Sequence, residues 1–201
     1  MNPNKTNCFI CRMLWPFLIW IGLSVISLAG PEFKPASTSP DGTEKLLIRQ
    51  YKEQGSLVTE FALKASGSKQ RFVDVPDNLA TTETRSPKFQ FKWSSPIGYI
   101  ICVARWQHSD ELMFCDLSKS KLAFQDLQDP DWASLLGSGR DFHDEAYKYI
   151  INIDDISYNS KSKIKVTFAT TKDDGPVVYF EAIYDLTKPT VLGGVTRVKN
   201  R

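Results

Sequence analysis

Lys88-Phe-Gln-Phe-Lys-Trp-Ser-Ser-Pro-Ile-Gly-Tyr-Ile-Ile-Cys-Val-Ala-Arg-Trp106, followed after a short polar gap by Glu111-Leu-Met-Phe-Cys-Asp-Leu117, is the stretch that decides the fold. Phe89, Phe91 and Trp93 alternate with Lys88, Gln90 and Lys92, the two-residue period of a strand that buries one face. Tyr99–Trp106 and Glu111–Leu117 read as two further strands joined by Gln107-His-Ser-Asp110. Folding that hairpin between His108 and Ser109 sets Cys102 directly opposite Cys115. Opposed residues of an antiparallel pair stand about 4.5–5.5 Å apart at Cα, which suits a disulfide. Two small buried thiols on the core face are the alternative.

The same pattern recurs along the chain. Residues 45–49, 57–63, 71–75, 150–153, 163–168, 177–183 and 194–198 are short, rich in β-branched or aromatic side chains, and bounded by turn clusters. Ile164, Val166 and Phe168 alternate with Lys163, Lys165 and Thr167 as cleanly as the first strand. One helix is expected near 129–137, with Asp129 as N-cap, Pro130 in the first turn and Gly137 as the stop. The predicted class is all-β: an antiparallel sandwich or a curved open sheet, with one short helix.

A faint internal echo connects these segments. Phe91–Ala104 resembles Ile156–Ala169, and Met113-Phe-Cys-Asp-Leu-Ser-Lys119 resembles Ala182-Ile-Tyr-Asp-Leu-Thr-Lys188. A third copy starts at Ser39-Pro-Asp-Gly42 and runs through Leu46 to Leu63. In Ser-Pro-Asp-Gly, proline presets φ, aspartate suits the next position, and glycine accepts left-handed geometry at the exit. At these residues the chain resembles the repeats of TolB-type and WD-type β-propellers, where a Trp-Ser-Pro-Asp-Gly turn precedes one blade strand and Asp-Leu ends a later one. Trp93-Ser-Ser-Pro-Ile-Gly98 departs from that pattern by an extra serine and by Ile97 in place of aspartate. Blades take about 40–45 residues and closure needs about four of them. The better copies here are 65 to 69 residues apart, so the resemblance implies propeller-like hairpins rather than a closed propeller.

The N-terminal part speaks to compartment. Met13–Ala29 is an uncharged run of 17 residues preceded by Lys5 and Arg12 and ending in Ser27-Leu28-Ala29. It reads as a signal peptide cleaved before Gly30, or as an uncleaved membrane anchor at the short end of the spanning range. Both readings export the body, with the basic flank held inside. Export places it in the periplasm or outside the cell. The membrane is then a partner only through an uncleaved N-terminal segment. Without residues 1–29 the balance is 23 basic against 23 acidic residues. No basic stripe marks a nucleic-acid partner. The expected organisation is residues 1–29 as signal or anchor, 30–43 as extended linker and first turn, and 44–201 as one β-rich domain.

Chemistry is sparse. His108 and His143 lie far apart and offer no metal spacing. Asp126, Asp129 and Asp131 supply oxygens but lack the calcium-loop pattern. Gly137-Ser-Gly139 is no nucleophile elbow. No catalytic residue, metal or cofactor is assigned. The binding candidates are Trp106, His108 and Asp110 at the hairpin end. Three functions remain in view: a non-enzymatic exported domain that binds a protein or envelope component through a sheet edge or hairpin surface, an envelope hydrolase using carboxylates at 141–145, and an inhibitor or immunity-like protein.

Overall fold

Strand-forming side chains at a period of two favour extended chain wherever a second strand can take up the backbone hydrogen bonds. The computed structural model describes residues 31–82, 86–106, 110–136, 149–172 and 175–198. Its contacts make the body from Phe33 onward one unit. In chain order, β1 (Lys34–Thr38), β2 (Glu44–Glu53), β3 (Ser56–Ala65) and β4 (Arg71–Asp74) form a first antiparallel run. Helix α1 (Asp77–Ala80) and the two-residue β5 (Thr81–Thr82), which pairs with β3, follow. Strands β6 (Lys88–Trp93), β7 (Tyr99–Arg105), β8 (Asp110–Asp116) and β9 (Leu122–Asp126) form a second run. After α2 (Trp132–Leu135) come β10 (Tyr149–Ser160), β11 (Lys163–Lys172), β12 (Val178–Asp185) and β13 (Thr190–Val198), a third run and a separate sheet. The first two runs merge through a parallel pair, β4 with β9, into one curved sheet ordered β1-β2-β3-β4-β9-β8-β7-β6. The all-β expectation with few helical residues is met by this large, nearly closed sheet and its four-stranded companion. Among the described residues no helix is long and apolar enough to cross a membrane.

Curvature brings the ends of the large sheet together. The Trp93 indole on β6 donates to Ser37 Oγ on β1 at 2.8 Å. The interior so enclosed is aromatic: Phe61 meets Phe89, Phe91 and Phe124 edge to face, with ring centroids 5.1, 5.7 and 5.5 Å away. Such pairs add about 0.5–1.5 kcal/mol each beyond their buried area. Ile100, Cys102, Ala104, Met113 and Cys115 complete that interior. Tyr99, Ile101, Val103, Leu112 and Phe114 point the other way, into a second core with Ile164, Val166, Phe168, Phe180 and Tyr184 of the four-stranded sheet. Strand β7 is therefore buried on both faces, which explains why it reads as an unbroken apolar run instead of alternating.

Register corrects one expectation. Cys102 pairs with Met113, and Cys115 with Ile100, so the hairpin is offset by two positions from the expected alignment. Both cysteines are buried free thiols and no disulfide joins them. A shift of two preserves the face of every side chain, so the cysteines still share the interior, set diagonally. The physical reason lies at the hairpin end, where this alignment sets Arg105 opposite Asp110 as an ion pair of 3.0 Å. Burial raises both thiols, Cys115 to about 12, so neither forms a reactive thiolate at neutral pH.

The internal echo has a structural counterpart. In each copy an aspartate Oδ1 accepts from both the backbone N–H and the hydroxyl two residues on: Asp41 from Thr43, Asp116 from Ser118, Asp185 from Thr187. Leu117 and Leu186 then donate their backbone N–H to Gly98 and Ser162, each the residue just before the partner strand. Gly42 takes φ of 75°, as the exit from Ser-Pro-Asp-Gly requires. Residues 34–38, read from sequence within an extended linker, pair with β2 as β1. Asp131, not Asp129, caps α2: its carboxylate accepts the Ser134 N–H at 3.2 Å and hydroxyl at 2.7 Å. The aspartate three residues ahead of a hydroxyl wins because it satisfies both donors at once.

Candidate functional site

A strand at a sheet edge carries a row of unpaired N–H and C=O groups, and folded chains cover such rows. The edges at β1, β6 and β10 can each be followed to a cover. Strands β1 and β6 are joined across the near-closure by Trp93 and Ser37. Strand β10 is covered by side chains. Arg105 donates to the Ile153 carbonyl at 2.9 Å, and the Asp110 carboxylate accepts the Ile153 N–H at 2.8 Å. Lys92 reaches the Ile156 carbonyl, and the Tyr158 hydroxyl donates to the Lys92 carbonyl at 3.3 Å. A bulge between Ile153 and Asp155 turns those backbone groups toward their partners. Between the two sets of contacts lies a cleft of about 440 Å³ floored by Ile101 and Val103.

Strand β13 differs. It pairs only with β12, and among the described residues no side chain from elsewhere bonds its backbone. It holds no lysine and no proline, and Arg197 is its single charge. Most of its residues are exposed. A register shift opposite Ala182 and Ile183 accommodates Gly193 and Gly194, both at positive φ (69° and 84°), and leaves Val195–Val198 as a regular run paired with Tyr179–Ala182.

Beside this edge lies a cavity of about 310 Å³, walled by Asp129, Pro130, Leu135, Val191, Gly194 and Val195. Helix α2 holds it there. Trp132 packs edge to face on Phe168 and Phe180, with centroids at 5.0 and 6.0 Å. Leu127 and Pro130 are buried on either side of Gln128 and Asp129. Asp129 itself is exposed. Its carboxyl is nonetheless raised above the usual range, first by desolvation and then by Asp126. Among the described residues no cation pairs with it.

The residues singled out from sequence are placed as follows. Asp110 belongs to the clasp on β10; its side chain is 2% exposed against 32% for Arg105. Its carboxyl is raised by burial, which outweighs the Ile153 N–H and Arg105. Trp106 packs against the interior of the large sheet. Its indole N–H acts on the Glu111 carboxylate without a hydrogen bond of good geometry. His108, His143 and the acidic stretch 141–145 lie outside the described residues. Among the described residues no three histidine, cysteine or carboxylate side chains gather to hold a metal. The open edge was legible only in outline: residues 194–198 read as a strand, but nothing in sequence says which strands end a sheet. No family model matches the chain, and no curated protein is significantly similar to it in sequence.

Proposed function

We propose that this chain is an exported, non-enzymatic binding domain that takes up an extended segment of a protein or envelope partner along β13. The observation that carries the reading is the asymmetry of the four-stranded sheet. The backbone of one edge, β10, is held by three side chains, Lys92, Arg105 and Asp110, whereas among the described residues no side chain from elsewhere bonds that of the other, β13. Strand addition draws affinity from such main-chain groups and specificity from side-chain pockets beside them. The cavity next to Val191 and Val195 supplies a pocket of that kind. The apolar run Met13–Ala29, with its basic flank, supports export.

The test is site-specific photocrosslinking in the native host. A benzoylphenylalanine at Thr196 on β13 is expected to capture a partner chain, and the same group at Ser157 on β10 is not. Capture from Ser157 alone, or from neither position, overturns the reading.

A further inference from the structure

Resting on the strand-addition reading, we infer that the segment β13 receives is basic: an extended peptide that lays a lysine or arginine side chain into the cavity beside Asp129. Two features of the cavity match that side chain. Pro130, Leu135, Val191 and Val195 make an apolar collar suited to an aliphatic stem. Lys and Arg bury such stems while holding the charged head at a polar group. Asp129 stands at the polar wall, partly desolvated, with the charge of Asp126 felt at its carboxyl and no cation in reach among the described residues. Glu111 feels Asp126 and Asp129 in the same sense. Asp131, the other carboxylate of the wall, is engaged by Ser134. Those neutral donors leave Asp131 charged, so both carboxylates present negative charge to the cavity, and Asp129 is the one whose oxygens have no hydrogen-bond partner among the described residues. An incoming cation relieves the mutual repulsion of these carboxylates, and complementary charge fixes the register of the added strand. Residues of one strand return to the same face at every second position, so one basic residue in the cavity implies its neighbours at intervals of two along the same face.

Three blocked ten-residue peptides provide the test by fluorescence anisotropy: alternating lysine and valine, alternating glutamate and valine, and the lysine form with alternate backbone nitrogens methylated. The lysine peptide is expected to bind at least about tenfold more tightly than the glutamate peptide. Asp129→Asn is expected to remove most of that preference and Asp126→Asn a smaller part. Asp155→Asn, on the closed edge, is expected to leave it unchanged. Equal affinity for the lysine and glutamate peptides overturns the basic-segment inference while leaving strand addition standing. Undiminished binding of the methylated peptide shows that backbone pairing is not used and overturns strand addition itself. If the lysine peptide does not bind at all, the basic-segment inference fails, and crosslinking at Thr196 separately decides whether the edge is used.

Discussion

Asp110 and Glu111 are neighbours in sequence and carry opposite roles because successive residues of a strand face opposite ways. Asp110 faces β10 and is matched by Arg105 and the Ile153 N–H. Removing one member of a buried pair costs about 3–5 kcal/mol. Arg105 reaches solvent, so Asp110→Ala is expected to cost about 2–3 kcal/mol in a denaturant melt. Asp110→Asn, which keeps an acceptor for Ile153, is expected to cost less. A loss below about 0.5 kcal/mol for the alanine variant would mean that the clasp is idle. Glu111 faces inward, where Asn78 bonds one oxygen at 3.1 Å and the other is buried without a partner. Burial, partly offset by Trp106, leaves its carboxyl raised. A raised carboxyl contributes stability below its unfolded value near 4.3, and that contribution is lost as pH rises through the folded value. Glu111→Gln is therefore expected to raise the melting temperature near pH 7 and to match the wild type near pH 4. A variant less stable at both pH values would assign the charge a favourable role. At this scale the sequence marked Asp110 at the hairpin end but not its bond to the Ile153 N–H, which lies 43 positions away.

At the scale of elements, the contrast between β10 and β13 makes a direct prediction. Backbone amides exchange slowly where they are bonded and shielded. The Ile153 N–H, held by Asp110, is expected to exchange far more slowly than the outward-facing amides of Val195–Val198. Addition of a bound segment is expected to slow the latter only. Hydrogen exchange read by NMR checks both, and slow exchange throughout free β13 would show that its edge is already covered. Trp132 anchors the short α2, which contributes little stability of its own. Trp132→Ala is expected to cost about 3 kcal/mol and to open the cavity wall. Elements with strong alternation, such as β6 and the first half of β11, were legible from sequence. Strand β9 was not, because Leu122-Ala-Phe-Gln-Asp126 has only two apolar side chains that enter the core. Helix α1 also went unread, although Pro76 ahead of Asp77 is a start signal and its carbonyl accepts from Leu79 and Ala80.

For the whole molecule, two cores share one hairpin. The free thiols of β7 and β8 sit at the centre of the inner one. Cys102 and Cys115 are expected to resist alkylation in the folded protein and to react fully in denaturant without any reductant. A requirement for reductant would restore the disulfide and with it a different register. By itself the sequence determined the class of the fold, most of the strand content, the placing of Cys102 and Cys115 on one face, and the Ser-Pro-Asp-Gly turn. All of these rest on neighbours a few positions apart, through the two-residue period and local side-chain-to-backbone bonds. Only the tertiary structure decided the register of the central hairpin, the near-closure of the large sheet, and which edge of the small sheet is held by side chains. Those depend on contacts between distant segments, Arg105 and Asp110 with Ile153, Trp93 with Ser37, and Trp132 with Phe168, whose pairing energies no local pattern carries.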